Sequence, residues 1–149
     1  MTAREADRWV AAALLVTPDG RYLMQLRDDK PEISVPAHWA CFGGGIDPGE
    51  APDAAMRREL LEELELRARD VAFFTELTVL FPSVPPMLAR MSFFAIPVTE
   101  TDIAAMVQHE GAGKQLFTPE ALAAETRVAP WDLAAILMHA RRRALFEGG

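Results

Sequence analysis

Residues 43–66 read GGGIDPGEAPDAAMRRELLEELEL, a run of glycines followed by a segment rich in carboxylates. Pro52 suits the first turn of a helix. A rotation of about 100° per residue then puts Glu59, Glu62 and Glu63 on one helical face, with leucines opposite. Carboxylates crowded on one face repel each other, whereas a bound divalent cation turns the same crowding into attraction. The stretch therefore predicts a helix that holds a metal ion, and a solvated acidic face is the plainer alternative.

The same stretch resembles the Nudix box, written G-x5-E-x7-R-E-U-x-E-E-x-G-U, in which U is an aliphatic residue. The matching positions are Gly44, Glu50, Arg58, Glu59, Leu60, Glu62, Glu63 and Leu66. Glu65 stands where the family has glycine, which ends helices in the left-handed conformation with little strain. For a residue with a side chain, that conformation costs about 1 kcal/mol or more in free energy. Ala51 occupies the expected N-cap without a capping oxygen. Both departures concern the ends of the helix, and the carboxylates are intact.

The resemblance implies an α+β fold, the Nudix α/β/α sandwich with a mixed β-sheet, over a single domain of residues 1–149. It also implies hydrolysis of a pyrophosphate linkage in a nucleoside diphosphate linked to a group X, by attack of water at phosphorus. Mg²⁺, with Mn²⁺ as a substitute, would neutralise the phosphates and activate the water. The predicted metal ligands are Glu59, Glu62, Glu63 and Gly43. The predicted catalytic residues of the box are Glu62, Glu63 and Arg58, and Arg58 is expected to orient Glu62 through an ion pair.

Two features near the box are candidates for substrate binding. The glycines at 43–45 lack side chains, so they predict a turn whose backbone approaches a phosphate or the metal, with Gly43 and Gly44 contacting substrate. Arg27 ends a predicted strand where similar proteins often place a basic residue against a phosphate, and a surface salt bridge is the alternative. Trp39 has two interpretations, stacking on a base or packing in the core, and the core is favoured.

Glu110 is the candidate for the general base outside the box. It lies in the segment His109-Glu110-Gly111-Ala112-Gly113, whose flexibility is expected to carry the carboxylate over the metal site once substrate binds. An exposed loop acid is the alternative, and Glu62 or Glu63 would then be the base. The histidines form no recognisable ligand pair, so each is expected to be structural or exposed.

Composition excludes several other classes of function. For a chain of 149 residues, a net charge of -7 argues against the basic surface that sequence-independent nucleic-acid binding requires. Cys41 is the only cysteine, so the chain forms no internal disulfide and has no zinc-type Cys/His set. The apolar run at 9–16 is too short to span a bilayer and follows acidic residues. We therefore predict a cytoplasmic protein that binds neither nucleic acid nor a membrane.

The order of the predicted elements favours the same fold independently, because strands and helices do not alternate regularly. The predicted strands are 8–16 and 22–26, which form a hairpin, then 39–42, 71–81, 87–98 and 116–117. The predicted helices are one that begins at Pro52, one that begins near 118–120, and a last one over 130–146 that ends at Gly148 and Gly149. Residues 27–38 are predicted to be loop, as are most of 99–115 apart from a turn of helix near 103–107.

Two functions of different class remain open at this point. The first is a metal-dependent hydrolase of a small phosphate-containing substrate, such as a nucleoside triphosphate, an oxidised nucleotide or a nucleotide sugar. The second is a catalytically inactive Nudix-fold module that binds or senses a nucleotide. The first is favoured because a retired enzyme is free to lose box carboxylates, and here all are present. Dimers are common among similar proteins, so a homodimer also stays open.

Overall fold

The computed structural model describes residues 4–146 as a mixed β-sheet with helices on its two faces. The strands are β1 (Arg8–Val16), β2 (Tyr22–Leu26), β3 (Trp39–Ala40), β4 (Phe42–Gly45), β5 (Ala72–Phe81), β6 (Met87–Pro97) and β7 (Gly113–Phe117). The helices are α1 (Pro52–Leu64), α2 (Glu100–Ala105), α3 (Pro119–Ala124), α4 (Pro130–Ala140) and α5 (Arg142–Phe146). The hairpin of β1 and β2 and the long strands β5 and β6 confirm the predictions to within one residue.

The centre of the sheet is β1, which explains its continuous apolar run. The strand order is β3-β2-β1-β6-β5, with β4 added on β1 and β7 added on β2. β1 runs parallel to β6 and antiparallel to β2 and β4. Alternate residues of β1 enter two separate cores, Ala11 and Ala13 on one face and Ala12 and Leu14 on the other. A strand covered on both faces needs apolar side chains at every position.

Each core packs the sheet against a different helix. On one face α1 buries Met56, Leu60 and Leu64, and each such side chain contributes about 1.5–3 kcal/mol when fully buried. On the other face α4 buries Ala135 and Ile136. With Leu60 and Leu64 buried in the core, Glu59 lies beside Gly44 of β4.

Four predicted elements differ from the structure. The glycines form the strand β4 and not a turn, and the predicted strand at 39–42 is two strands that change partner at Cys41, from β2 to β1. The helix α2 begins before the predicted turn because Thr99 and Asp102 form a capping box. The strand β7 is longer than predicted, beginning at Gly113.

The last predicted helix is also interrupted. The backbone leaves the helical conformation at Arg141, with φ -103° and ψ 11°, so α4 and α5 are separate helices. The predicted end at Gly148 and Gly149 lies outside the described residues.

Of the helices found in residues 4–146, none has both the length and the apolar character needed to cross a membrane. The helix start predicted near 118–120 is confirmed, with Thr118 as the N-cap of α3.

Both ends of α1 lie at the positions where this sequence departs from the Nudix box, namely Ala51 and Glu65. Ala51 is the N-cap and makes no side-chain capping bond, and Pro52 is the first helical residue. The helix ends at Glu65, which has left-handed dihedral angles of φ 52° and ψ 30°. The Glu65 and Leu66 amides donate to the carbonyls of Leu61 and Leu60, which satisfies two of the last acceptors of the helix.

The strain at Glu65 leads to a stability prediction. We expect Glu65→Gly to raise the free energy of unfolding by up to about 1 kcal/mol, because glycine adopts this conformation without steric conflict. Loss of the exposed ion pair between Glu65 and His109 offsets part of this gain, as such pairs contribute about 0–1 kcal/mol. Chemical denaturation of both proteins measures the difference.

Glu65→Ala is the matched control for this prediction. Alanine also removes the carboxylate but keeps the Cβ that makes the left-handed conformation unfavourable. Glu65→Gly should therefore be more stable than Glu65→Ala by about 1 kcal/mol. Equal stabilities of the two variants would show that the left-handed backbone carries no strain here.

Candidate active site

Two glycines of β4, Gly43 and Gly44, lie where a side chain would meet neighbouring atoms. A Cβ added to Gly43 would lie 2.1 Å from the carbonyl oxygen of Ala11 in the neighbouring strand. A Cβ added to Gly44 would lie 2.5–2.6 Å from the carboxylate of Glu59. Gly43 thus lets β4 pair with β1, and Gly44 leaves the space in which the Glu59 carboxylate sits. Sequence reasoning assigned both glycines to substrate contact, and the structure adds these packing roles.

Arg58 connects α1 to the strand and the loop that precede it. Its guanidinium donates to both carboxylate oxygens of Glu50, at 2.8 and 2.9 Å, and to the carbonyl of Gly45 at 3.0 Å. A further bond of 2.9 Å reaches Glu59. The predicted contact with Glu62 is present but longer, at 3.4 Å. The hydrogen bonds from Arg58 lower the pKa of Glu50 to about 2, so this pair stays charged and holds Glu59 in place.

The three box glutamates, which share one helical face, differ greatly in exposure. The side chain of Glu62 is 59% exposed and that of Glu59 is 14% exposed, whereas Glu63 as a residue is only 3% exposed. Burial raises the pKa of Glu63 to about 9, and a hydrogen bond shared with Glu59 and the charges of Glu110 and Glu59 act in the same direction. The Oε2 atom of Glu63 has no hydrogen-bond partner. A buried carboxylate oxygen without a partner is unfavourable unless a proton or a cation compensates it.

The residues present fit a magnesium ion. Glu59 and Glu63 offer carboxylate oxygens side by side, one of them unpaired and buried. Mg²⁺ is commonly held by one or two carboxylates and completes its shell with water and phosphate oxygens. Within residues 4–146, no group of three or more acidic, histidine or cysteine side chains is already arranged around a metal position. Glu59 and Glu63 are therefore the side chains best placed to hold the ion, and Glu62 faces Arg58 and solvent.

The loop that carries Glu110 is hydrogen-bonded to the end of α1. The amides of Val107 and His109 donate to the carbonyls of Leu64 and Glu63, at 3.1 and 2.8 Å. The carbonyl of Glu110 itself accepts from the side-chain amides of Gln25 and Gln108, at 3.0 and 2.9 Å. These bonds bring the Glu110 carboxylate close enough to Glu63 for its charge to act on the pKa of Glu63.

Arg27 lies between two cavities beside this cluster. It lines a cavity of ≈ 350 Å³ together with Glu110. It also lines one of ≈ 100 Å³ whose wall includes Gly43 and Gly44. Its Nε donates to the carbonyl of Ser34 at 2.8 Å, a contact that leaves the terminal guanidinium nitrogens for other partners. The surface salt bridge considered as the alternative is absent among the ion pairs of the described residues.

Asp132 is a polar residue of the smaller cavity that the sequence did not reveal. It lies in the first turn of α4, is 3% exposed, and accepts a bond of 3.0 Å from the backbone amide of Cys41 through Oδ2. Its Oδ1 has no partner. Burial raises the pKa of Asp132 to about 7. Phe81 and Trp131, whose rings meet edge to face at 4.6 Å, line the same cavity. An acid in the first turn of a helix is ordinary, so only its tertiary surroundings distinguish it.

Known proteins resemble this chain both in sequence and in fold. The family model described as the NUDIX domain matches residues 7–145. This chain belongs to the Nudix family. Nucleoside triphosphatase NudI of Escherichia coli is 45% identical over 51 residues, which are 34% of this chain and 35% of NudI. The match with this curated relative therefore spans about a third of its length.

Solved Nudix-fold structures cover nearly the whole chain. The MutT protein from Methanosarcina mazei Go1 aligns over 95% of this chain and 99% of its own, with a TM-score of 0.77 and 14% identity. The dihydroneopterin triphosphate pyrophosphohydrolase of Escherichia coli aligns over 93% and 99%, with a TM-score of 0.71 and 18% identity. At these identities the likeness concerns the fold alone, and it confirms the predicted Nudix sandwich with a mixed sheet.

The aromatic and sulfur residues near the Nudix box are largely structural. Trp39 is half-buried and packs edge to face on Phe117, with ring centroids 4.9 Å apart, which agrees with the favoured core placement. Cys41 is buried, and burial raises the pKa of its thiol well above the ordinary value. A thiol in this state is a poor nucleophile. His139 is buried and bonds through Nδ1 to the hydroxyl of Tyr22 at 2.7 Å.

Proposed function

We propose that this Nudix protein is a metal-dependent hydrolase that cleaves a pyrophosphate linkage in a nucleoside triphosphate. Water attacks the α- or β-phosphorus, the bond from that phosphorus to the oxygen that bridges the α- and β-phosphates breaks, and the products are a nucleoside monophosphate and inorganic pyrophosphate. The metal, when bound, neutralises the phosphates and activates the water. The observation that carries the proposal is the pair formed by partly buried Glu59 and buried Glu63, in which one carboxylate oxygen of Glu63 is unpaired.

The chain's own residues divide the remaining work. Arg58 and Glu50 hold Glu59 at the glycine strand. Arg27 faces both cavities beside the strand and supplies positive charge for phosphate oxygens. Glu110 is the proposed base that accepts the proton of the attacking water, because its loop is anchored next to Glu63. The activity of NudI as a nucleoside triphosphatase supports the choice of substrate class.

A panel assay tests the function directly. The purified protein is incubated with nucleoside triphosphates, oxidised nucleotides and nucleotide sugars, each with Mg²⁺, with Mn²⁺ and with a chelator. We expect that nucleoside triphosphates are hydrolysed only when the divalent ion is present, and that the products are the nucleoside monophosphate and inorganic pyrophosphate. Tight nucleotide binding without turnover on any member of the panel would instead support the binding or sensing module. Turnover that survives the chelator would overturn the metal requirement.

Asp132 provides a prediction about the base of the nucleotide. The unpaired Oδ1 of this buried carboxyl lines a cavity with an aromatic wall, a setting suited to a hydrogen bond with the edge of a planar base. We expect Asp132→Asn to lower kcat/KM for the preferred nucleoside triphosphate by about ten- to hundredfold, because the amide changes which group donates and which accepts. Turnover of tripolyphosphate, which has no base, should be unchanged.

The matched control for this prediction is Asp70→Asn, an identical change at an exposed position of the loop between α1 and β5. It should behave as the wild-type protein with every substrate. Equal losses of Asp132→Asn on the triphosphate and on tripolyphosphate would contradict a role in recognising the base and would indicate that Asp132 supports the site as a whole.

A further inference from the structure

Glu65 departs from the Nudix box at a position where the backbone favours glycine. Its left-handed dihedral angles are those that a residue with a side chain rarely adopts. A glycine would end the helix equally well and without strain. Ending the helix therefore does not account for a glutamate side chain at position 65.

The carboxylate of Glu65 contacts the loop that carries Glu110. Its Oε2 lies 2.7 Å from Nε2 of His109. The backbone amide of the same histidine donates to the carbonyl of Glu63 at 2.8 Å. His109 is thus bound to α1 twice, once through its side chain and once through its backbone, and the next residue along the chain is Glu110.

On the other side of Glu110 the loop is held by amide side chains. Gln25 and Gln108 both donate to the Glu110 carbonyl. Gly111 packs against Gln25, since a Cβ at Gly111 would lie 2.7 Å from the amide nitrogen of Gln25. The backbone of Glu110 is therefore held from both directions, and the contact with Glu65 adds a side-chain link to the backbone bonds that join the loop to the box helix.

We propose that Glu65 and His109 are positioning residues, which hold the Glu110 carboxylate in register with the carboxylates of α1. The proposal rests on the proposed hydrolysis with Glu110 as its base. Removing the side-chain contact leaves only the backbone bonds of Val107 and His109 to hold the loop at α1, and small displacements of a catalytic group lower turnover without a comparable change in substrate affinity. Neither residue touches the substrate in this account, so both act only through Glu110.

A double-mutant cycle tests this. We expect Glu65→Gly to lower kcat about tenfold, with KM changed less than twofold. Glu65→Gln keeps a hydrogen-bonding oxygen towards His109 and should retain kcat within threefold of the wild type. In a Glu110→Gln background, Glu65→Gly should change kcat less than twofold, because the residue through which it acts is already disabled. Equal losses in the two backgrounds, or a Glu65→Gly variant with wild-type kcat, would overturn the proposal.

Amide hydrogen exchange gives a second readout that needs neither metal nor substrate. The His109 amide, which is bonded to the carbonyl of Glu63, should exchange about tenfold faster in Glu65→Gly than in the wild type. Arg69→Gln is the control, because it removes the ion pair with Asp102 nearby and leaves the His109 contact in place. Unchanged exchange in Glu65→Gly would overturn the anchoring. A wild-type protein without hydrolase activity would overturn the proposed function and the catalytic purpose of the anchor, while faster exchange would still support the anchor itself.

Discussion

Glu63→Gln is expected to lower kcat by about 10³-fold or more while the protein stays folded. The amide keeps the shape of the side chain but loses the charge that attracts a cation, and metal-ion stabilisation of the reacting phosphate is worth several kcal/mol, with each 1.36 kcal/mol equal to a factor of ten. We expect a comparable loss for Glu59→Gln, because its carboxylate lies beside that of Glu63. Steady-state kinetics at saturating Mg²⁺ measures both. Near wild-type turnover of either variant would show that the altered residue is not a metal ligand.

Glu63→Gln should also stabilise the metal-free protein at neutral and basic pH. In the folded state the pKa of Glu63 is raised from 4.5 to about 9. Below pH 4.5 the carboxyl is protonated in both states and folding is not penalised. Above that pH the unfolded chain releases its proton while the folded chain keeps it up to about pH 9, so the free energy of unfolding falls as pH rises through this interval. Glutamine does not titrate and removes this part of the decline.

Denaturation in the presence of a chelator at pH 5 and pH 8 measures the effect. The wild type should lose more stability between these two values than Glu63→Gln does, and Asp132, whose pKa is also raised, contributes an equal decline in both proteins. Glu62→Gln is the control for stability, because its exposed side chain has no burial to relieve. An identical decline in wild type and Glu63→Gln would mean that Glu63 is ionised in the folded metal-free protein.

Glu110→Gln is expected to lower kcat by about 10²- to 10⁴-fold with little change in metal affinity. The amide cannot accept the proton of the attacking water, whereas the proposed metal ligands Glu59 and Glu63 are unchanged. The dependence of rate on Mg²⁺ concentration separates the two effects. The anchored loop makes the prediction sharper, because the carboxylate is held near Glu63 before any substrate binds.

Glu120→Gln is the matched control, since Glu120 is an exposed acid in the first turn of α3. It should leave kcat unchanged. If Glu110→Gln changes kcat less than threefold, Glu110 is an ordinary loop acid and the base belongs to the box, with Glu62 and Glu63 the next residues to substitute.

Much of this protein could be predicted from local patterns. The spacing of Glu59, Glu62 and Glu63 defines one face of a helix, and α1 is found there because helical periodicity depends only on neighbours in the sequence. The turn after Val16 and the prolines near Phe81 mark strand ends for the same reason. Predictions from neighbouring residues were wrong where pairing with a distant strand decides the structure. The glycines at 43–45 form a strand because β1 pairs with them.

The sequence by itself therefore indicated the family and the helix that carries the carboxylates, because these follow from residue types at fixed spacings, and the order of its strands and helices indicated the mixed sheet. Only the tertiary structure decided that Glu63 is buried while Glu62 is exposed, that Glu110 lies beside Glu63, and that Asp132 faces a cavity. Residues on one helical face share a direction but not a depth. Depth depends on the loops and strands that pack against that face, and those come from distant parts of the chain.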